Sequence, residues 1–273
     1  ANISTINVIK VFAIIGGSLF FLFMLLFFST FVGCKTHIKP STDLEDNQLH
    51  GKVKQMLELT YYYGNVDRVF FEEKTKASDS MLYIFDEKGY YTEAVRLTPP
   101  NDDEDEQTPR KIYVTRSADE VKTTAYNSDG DILYQSISKL NPEGLELTRT
   151  DVYKKDDEKI VMNSTYDHKN LKREINIEHK NGSKQKNVLT HNKKGQVIKG
   201  EFYIGSENEL FLTSICTYNS KDYLEKREQK YITTYSVTTT YEYEYDAQGS
   251  AIVVKEYEDG KLTTIKKRII EYY

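Results

Sequence analysis

The feature that most constrains this chain is a five-residue turn signature recurring at nearly fixed spacing. An aromatic residue is followed by Asp or Asn, two variable residues, and Gly or another turn former. Copies are Phe85-Asp86-Glu87-Lys88-Gly89, Tyr126-Asn127-Ser128-Asp129-Gly130, Tyr166-Asp167-His168-Lys169-Asn170, His191-Asn192-Lys193-Lys194-Gly195, Tyr218-Asn219-Ser220-Lys221-Asp222 and Tyr245-Asp246-Ala247-Gln248-Gly249; Leu140-Asn141-Pro142-Glu143-Gly144 is a weaker one. From Gly144 onward the fifth positions fall at 144, 170, 195, 222 and 249. The interval from Gly89 to Gly130 is longer and holds a Pro-flanked insertion at 99–109, so one repeat there is degenerate.

The signature has a chemical cause. Asp or Asn caps its own turn by bonding backbone N–H groups and tolerates left-handed torsion, Gly supplies positive φ, and Tyr is a good strand residue. The spacing fits two strands of about eight to ten residues and two turns. The second turn is visible at Asn181-Gly182, at Gly205-Ser206-Glu207-Asn208 and at Glu258-Asp259-Gly260, while the equivalent place near 231–233 carries no strong turn residue. Between turns the residues alternate: Val237, Thr239, Tyr241, Tyr243 and Tyr245 share one face, and Thr238, Thr240, Glu242 and Glu244 the other. Residues 52–59 allow a short helix, but their continuation favours a strand. The expectation is an all-β mature chain, an open, twisted meander of antiparallel hairpins over 49–273.

The first 33 residues are of another kind. They contain one charge, Lys10, seven of the twelve Phe and none of the 22 Tyr. Residues 11–31 are almost wholly apolar, long enough to span a bilayer. Phe31-Val32-Gly33-Cys34 resembles the bacterial lipobox, in which the signal is cut before an acylated Cys; that residue is Cys34 here. Phe31 stands where Leu is usual and the apolar run is long, which leaves an uncleaved span as the other reading. Acyl chains hold a protein at a membrane through about 0.8 kcal/mol per buried CH₂. Lys35 rather than Asp follows the Cys, which by the rule for such signals favours the outer membrane. Residues 34–48, with Pro40, Ser41 and Thr42, read as a flexible polar tether. The division expected is therefore signal 1–33, tether 34–48 and repeat domain 49–273, with the protein lipid-anchored in the bacterial cell envelope.

The repeats resemble the YD repeats of the Rhs family, in which Tyr-Asp-x-x-Gly marks each hairpin of a spiralling sheet. Leu49-His50-Gly51-Lys52-Val53-Lys54 resembles the start of small YD-like lipoproteins of Bacteroides-type bacteria. The resemblance covers 49–273 and implies the sheet, an association with carbohydrate, and no enzyme activity. Asn replaces Asp in several copies, and Gly is missing at Asn170 and Asp222.

Composition narrows the chemistry. After residue 33 the chain carries 36 Lys and Arg against 42 Asp and Glu, without a clustered basic face, which argues against nucleic acid. Cys216 reads as a small packed residue. His37, His50, His168, His179 and His191 show no metal-binding spacing, and the acidic run at 101–106 lacks the order of a calcium loop, so no metal or other cofactor is expected. The Asn127–Asp131 stretch is explained by its turn. There is no nucleophile elbow, phosphate loop or dinucleotide fingerprint. The best binding candidates are Tyr235, Tyr241, Tyr243 and Tyr245, as a platform for sugar rings or a partner protein; packing within the sheet is the plainer role for them. Function is expected to be non-catalytic, binding a glycan or an envelope protein or serving a structural role. The alternatives are an immunity or accessory protein for an Rhs-type toxin, and an envelope glycan hydrolase using paired carboxylates.

Overall fold

The computed structural model describes residues 38, 40, 42–63, 77–98, 108–155, 157–205, 207–233 and 235–273. Cys34 and the acidic run at 101–106 lie outside them.

Period-two patterning becomes strand throughout. The strands are β1 (Val53–Tyr62), β2 (Asp79–Phe85), β3 (Tyr91–Arg96), β4 (Lys111–Arg116), β5 (Glu120–Tyr126), β6 (Ile132–Leu140), β7 (Glu146–Tyr153) and β8 (Glu158–Asp167). They continue with β9 (Lys172–His179), β10 (Lys184–His191), β11 (Val197–Ile204), β12 (Glu209–Tyr218), β13 (Leu224–Tyr231), β14 (Ser236–Tyr245), β15 (Ala251–Glu258) and β16 (Lys261–Tyr272). A one-turn helix, α1 (Asp43–Asp46), precedes them. Residues 52–59 fall mostly in β1, as a strand.

Each strand pairs antiparallel with its sequence neighbours, and β1 then pairs with β16, from Val53 opposite Tyr272 to Tyr62 opposite Thr264. The sheet is a closed sixteen-stranded barrel. This corrects the expectation of an open array, and with it the Rhs-type reading of hairpins that run on as a spiral. The physical reason is edge chemistry: an open meander leaves two rows of unpaired N–H and C=O groups, and closure removes both.

The turn chemistry is as expected. Asp86 Oδ1 accepts from the N–H groups of Lys88 (2.9 Å) and Tyr90 (3.0 Å), and Asn192 and Asn219 do the same for Lys194 and Gln196, and Lys221 and Tyr223. Gly89 sits at φ +89°, and Asp222 takes the same role at +68°. In an up-and-down meander alternate turns lie at opposite ends. The turns at 86–90, 141–145, 168–171, 192–196, 219–223 and 246–250 share one end; the Tyr126 copy, between β5 and β6, lies at the other. The interval from Gly89 to Gly144 thus holds two units at the signature end. The missing turn between them is Ser117–Glu120, where Ser117 Oγ accepts from the Glu120 N–H (3.1 Å) in the place of an Asx cap and no Gly is present.

Alternate residues face inward and outward. The inward set packs as Ile160, Met162, Ile175, Ile177, Leu189 and Phe202 on one side of the barrel. Toward the signature end, Leu44, Leu49, Val53, Met56 and Phe85 form a second cluster.

Candidate functional site: the lining and the two ends of the barrel

The outer wall is charged along its length. In β9, Glu174, Asn176 and Glu178 alternate with buried Ile175 and Ile177. Ion pairs join outward positions along single strands, as in Lys122–Glu120 (2.8 Å), Lys199–Glu201 (2.9 Å) and Lys226–Glu228 (2.7 Å). A barrel embedded in lipid presents an apolar band instead, and each Lys or Arg at the bilayer mid-plane would cost about 2–4 kcal/mol. Among the described residues no helix is long and apolar enough to cross a membrane.

The lining also carries charge, but there it is paired. Glu58 and Arg268 are opposite each other across β1 and β16, with Arg268 Nε 2.9 Å from the carboxylate and Lys266 Nζ at 3.4 Å. Burial would raise the Glu58 pKa, yet the Lys266 and Arg268 charges overcome it and bring the group down to about 2. On β7, Asp151 is 2% exposed and accepts from Arg149 Nε at 2.8 Å. Nearby, Arg173 donates to Glu146 (2.9 Å), which also accepts from Ser138 Oγ (2.7 Å). Burial pushes the Glu256 carboxyl up, against the pull of Lys266 and Arg227. Burial likewise pushes the hydroxyls of Tyr83, Tyr91, Tyr241 and Tyr243 above the usual tyrosine range.

The signature end is closed by the chain's own N-terminal segment. Thr42 caps α1 through a reciprocal pair: the Glu45 N–H donates to Thr42 Oγ1 and the Thr42 N–H to Glu45 Oε2. A single helical turn has no stability of its own; here it is held by packing. Leu44 packs on Gly89 and its N–H donates to the Gly89 carbonyl (3.0 Å), while Asp43 accepts from the Tyr91 N–H (2.9 Å). Pro40 lies against Gly144. The segment then reaches the far side of the rim. Arg268 Nη1 donates to the Asn47 carbonyl (2.8 Å), Gln48 O accepts from the Ala251 N–H (3.2 Å), and the His50 N–H donates to Ser250 Oγ (2.8 Å). The described residues of the expected tether, 38, 40 and 42–48, are therefore seated on the barrel.

The opposite end, open as far as the described residues go, is apolar at its rim. Tyr62 is 53% exposed, Ile232 68% and Tyr235 57%, with Ile204 and Leu210 also exposed beside them. Phe211, Tyr231 and Tyr235 form a chain of ring contacts at 5.6 and 5.8 Å. A shallow pocket of about 410 Å³ lies next to them, lined by Gly182, Ser183, Lys184, Gln185, Ile204 and Gly205.

The expected tyrosine platform is divided by this geometry. Tyr235 stands at the open end. Tyr241 and Tyr243 face the lining, and the Tyr243 hydroxyl donates to the Leu224 carbonyl (2.6 Å). Tyr245 lies at the plugged end, stacked on Tyr223 (5.1 Å) and Tyr243 (6.1 Å), with the Lys221 ammonium 3.7 Å above its ring. His50 meets Tyr223 edge-on at 6.0 Å, His168 stacks on Tyr166, and His179 faces Glu158 at 3.2 Å. His191 is buried against the Leu171 carbonyl (3.1 Å), and burial lowers its pKa. Cys216 is buried, its thiol pushed up by that burial. No group of three metal-ligating side chains occurs among the described residues. Sequence reasoning missed the lining ion pairs. Their signal was a charge in the buried phase of a strand, as with Glu58 between Met56 and Thr60.

No known family matches the chain, and no curated protein matches its sequence. Among solved structures, a porin-like protein from Bacteroides vulgatus is similar at a TM-score of 0.53 and 7% identity, over 81% of this chain and 98% of that one. A porin-like protein from Bacteroides uniformis gives 0.48 and 11% identity, over 80% and 98%. The closed barrel and the likeness to the Bacteroides vulgatus protein replace the resemblance to Rhs repeats. At such low identity the likeness to the Bacteroides vulgatus protein is one of fold: this chain shares its barrel architecture.

Proposed function

We propose that this protein is a lipid-anchored component of the bacterial cell envelope, at the outer membrane, whose barrel stands in water beside the bilayer and has a non-catalytic binding or structural role. The observation that carries this reading is the charged outer wall. A chain with an apolar N-terminal run ending in Phe31-Val32-Gly33-Cys34 has a membrane address, while its barrel wall is unsuited to lipid. The porin-like description of the Bacteroides structures agrees with an envelope setting.

A glycan or an envelope protein is the expected partner, met at the end of the barrel where Tyr235 lies exposed. The best-buried carboxylates of the lining, Glu58 and Asp151, are each held by an arginine, an arrangement that serves packing. No observation favours a hydrolase over a binding role.

Metabolic labelling with a palmitate analogue tests the anchor. Label is expected in the wild-type chain and in the membrane fraction, and should be lost in Cys34→Ala. An unlabelled wild-type protein would overturn the reading. A glycan array and pull-downs against envelope proteins test the binding role.

A further inference from the structure

We infer that the plugged end of the barrel is its membrane-facing surface, held close to the lipid headgroups by a tether of only a few residues, with the open apolar rim turned away. This rests on the anchor proposed above. It comes from where the chain becomes fixed, which the sequence alone placed much later, at residue 49.

Cys34 and Ile38 are separated by four residue steps, a reach of at most about 14 Å even when fully extended. From Ile38, which is buried, the chain is fastened to the barrel. Pro40 lies on the β6–β7 turn, Asp43 and Leu44 on the β2–β3 turn, and Gln48 and His50 at β14 and β15. These attachments lie at well-separated points of the ring. A single flexible point of attachment would let the barrel swing; several attachments spread over one rim fix which end leads.

Ten-residue strands such as β14 are about 34 Å long, and the usual inclination of barrel strands brings the axial height to about 25 Å. The open rim of Ile204, Leu210, Ile232 and Tyr235 therefore lies about 40 Å from the anchor point, counting the full tether. A partner approaching from the aqueous side meets that rim first. An uncleaved span over 11–31 ends a few residues before Cys34, so either form of anchor puts the same end toward the bilayer.

The protein contains no Trp, so single Trp substitutions give isolated probes. Tyr90→Trp places one at the plugged end and Tyr235→Trp one at the open end. The full-length lipidated proteins would be reconstituted in phosphatidylcholine vesicles carrying dansyl-labelled headgroups, and energy transfer measured with selective Trp excitation. Transfer is expected to be several-fold more efficient from the Tyr90→Trp protein. Equal transfer from the two, or more from Tyr235→Trp, would overturn the orientation. Glu143→Trp and Ile232→Trp form a second pair, should either first variant fold poorly. Palmitate labelling of the same preparations separates the two levels: absent label strikes the anchor, whereas normal label with equal transfer strikes the orientation alone.

Discussion

Among the described residues, the two ends of this barrel share the same kind of hairpin turn and differ in what covers them. At the plugged end, turns built on Asp86, Asn141, Asn219 and Asp246 are met by the segment containing α1. Their close-approach positions are occupied: Leu44 lies against Gly89 and Pro40 against Gly144. At the open end, Gly182, Gly205 and Gly260 have comparable positive φ, but nothing lies within 4 Å of where a Cβ would stand. The comparison teaches that the left-handed turn is a local device shared by both ends, whereas a capped rim comes from residues far away in sequence. Identical turn chemistry thus has different consequences at the two ends.

The largest effect should come from the lining beneath the plug. Arg268→Ala would leave Glu58 buried without its closest cation and the Asn47 carbonyl without a donor, a loss of about 3–5 kcal/mol in chemical denaturation. Arg96→Ala, breaking the Asp79–Arg96 pair (2.7 Å) near the open end, should lose less because water reaches both partners. If the two losses were equal, the ends would not differ as described.

The next effect is one of pH. Burial raises the Asp43 pKa to about 6, against the Tyr91 N–H bond and the Arg116 charge, with Asp86 adding to the rise. A carboxyl whose folded value lies above its unfolded one gives stability that is full below the unfolded value, near 4, and is lost as pH rises through about 6. The shift is worth on the order of 2–3 kcal/mol. Hydrogen exchange across 42–50 should therefore be slower at pH 5 than at pH 7.5, relative to the intrinsic rates. Asp43→Asn should flatten that difference, while exchange in the hairpins of the open end should show no matching step.

The smallest effect compares glycines. Gly89→Ala and Gly182→Ala both force an L side chain into positive φ, at about 1–2 kcal/mol. Only Gly89→Ala also drives a Cβ to 3.0 Å from Leu44 Cδ1. Its melting temperature should fall further, and limited proteolysis near residues 40–50 should speed up only in that variant.

Much of the hairpin plan was legible in the sequence because a hairpin turn is decided by four or five adjacent residues. Asn181-Gly182 and Asp246-Ala247-Gln248-Gly249 both mark turns that exist. Parity was not legible. Asn127-Ser128-Asp129-Gly130 has the same chemistry as its counterparts, and only the strand count assigns it to the other end. The Ser117 turn escaped because a serine hydroxyl replaces the Asx cap. Closure was hidden because β1 and β16 meet without a connecting loop. The ends were also hidden: nothing in Pro40, Thr42 or Leu44 indicates that they cap a rim.

That loopless seam has a consequence for assembly. At most other seams a short connection dictates how one strand slides past the next. Between β1 and β16 no such ruler exists, so the alignment must come from side chains. A one-residue slip would expel Glu58 to the water side and strand a guanidinium among buried neighbours. The Glu58–Arg268 contact therefore works as a clasp, accepting one alignment of the final joint and rejecting its neighbours.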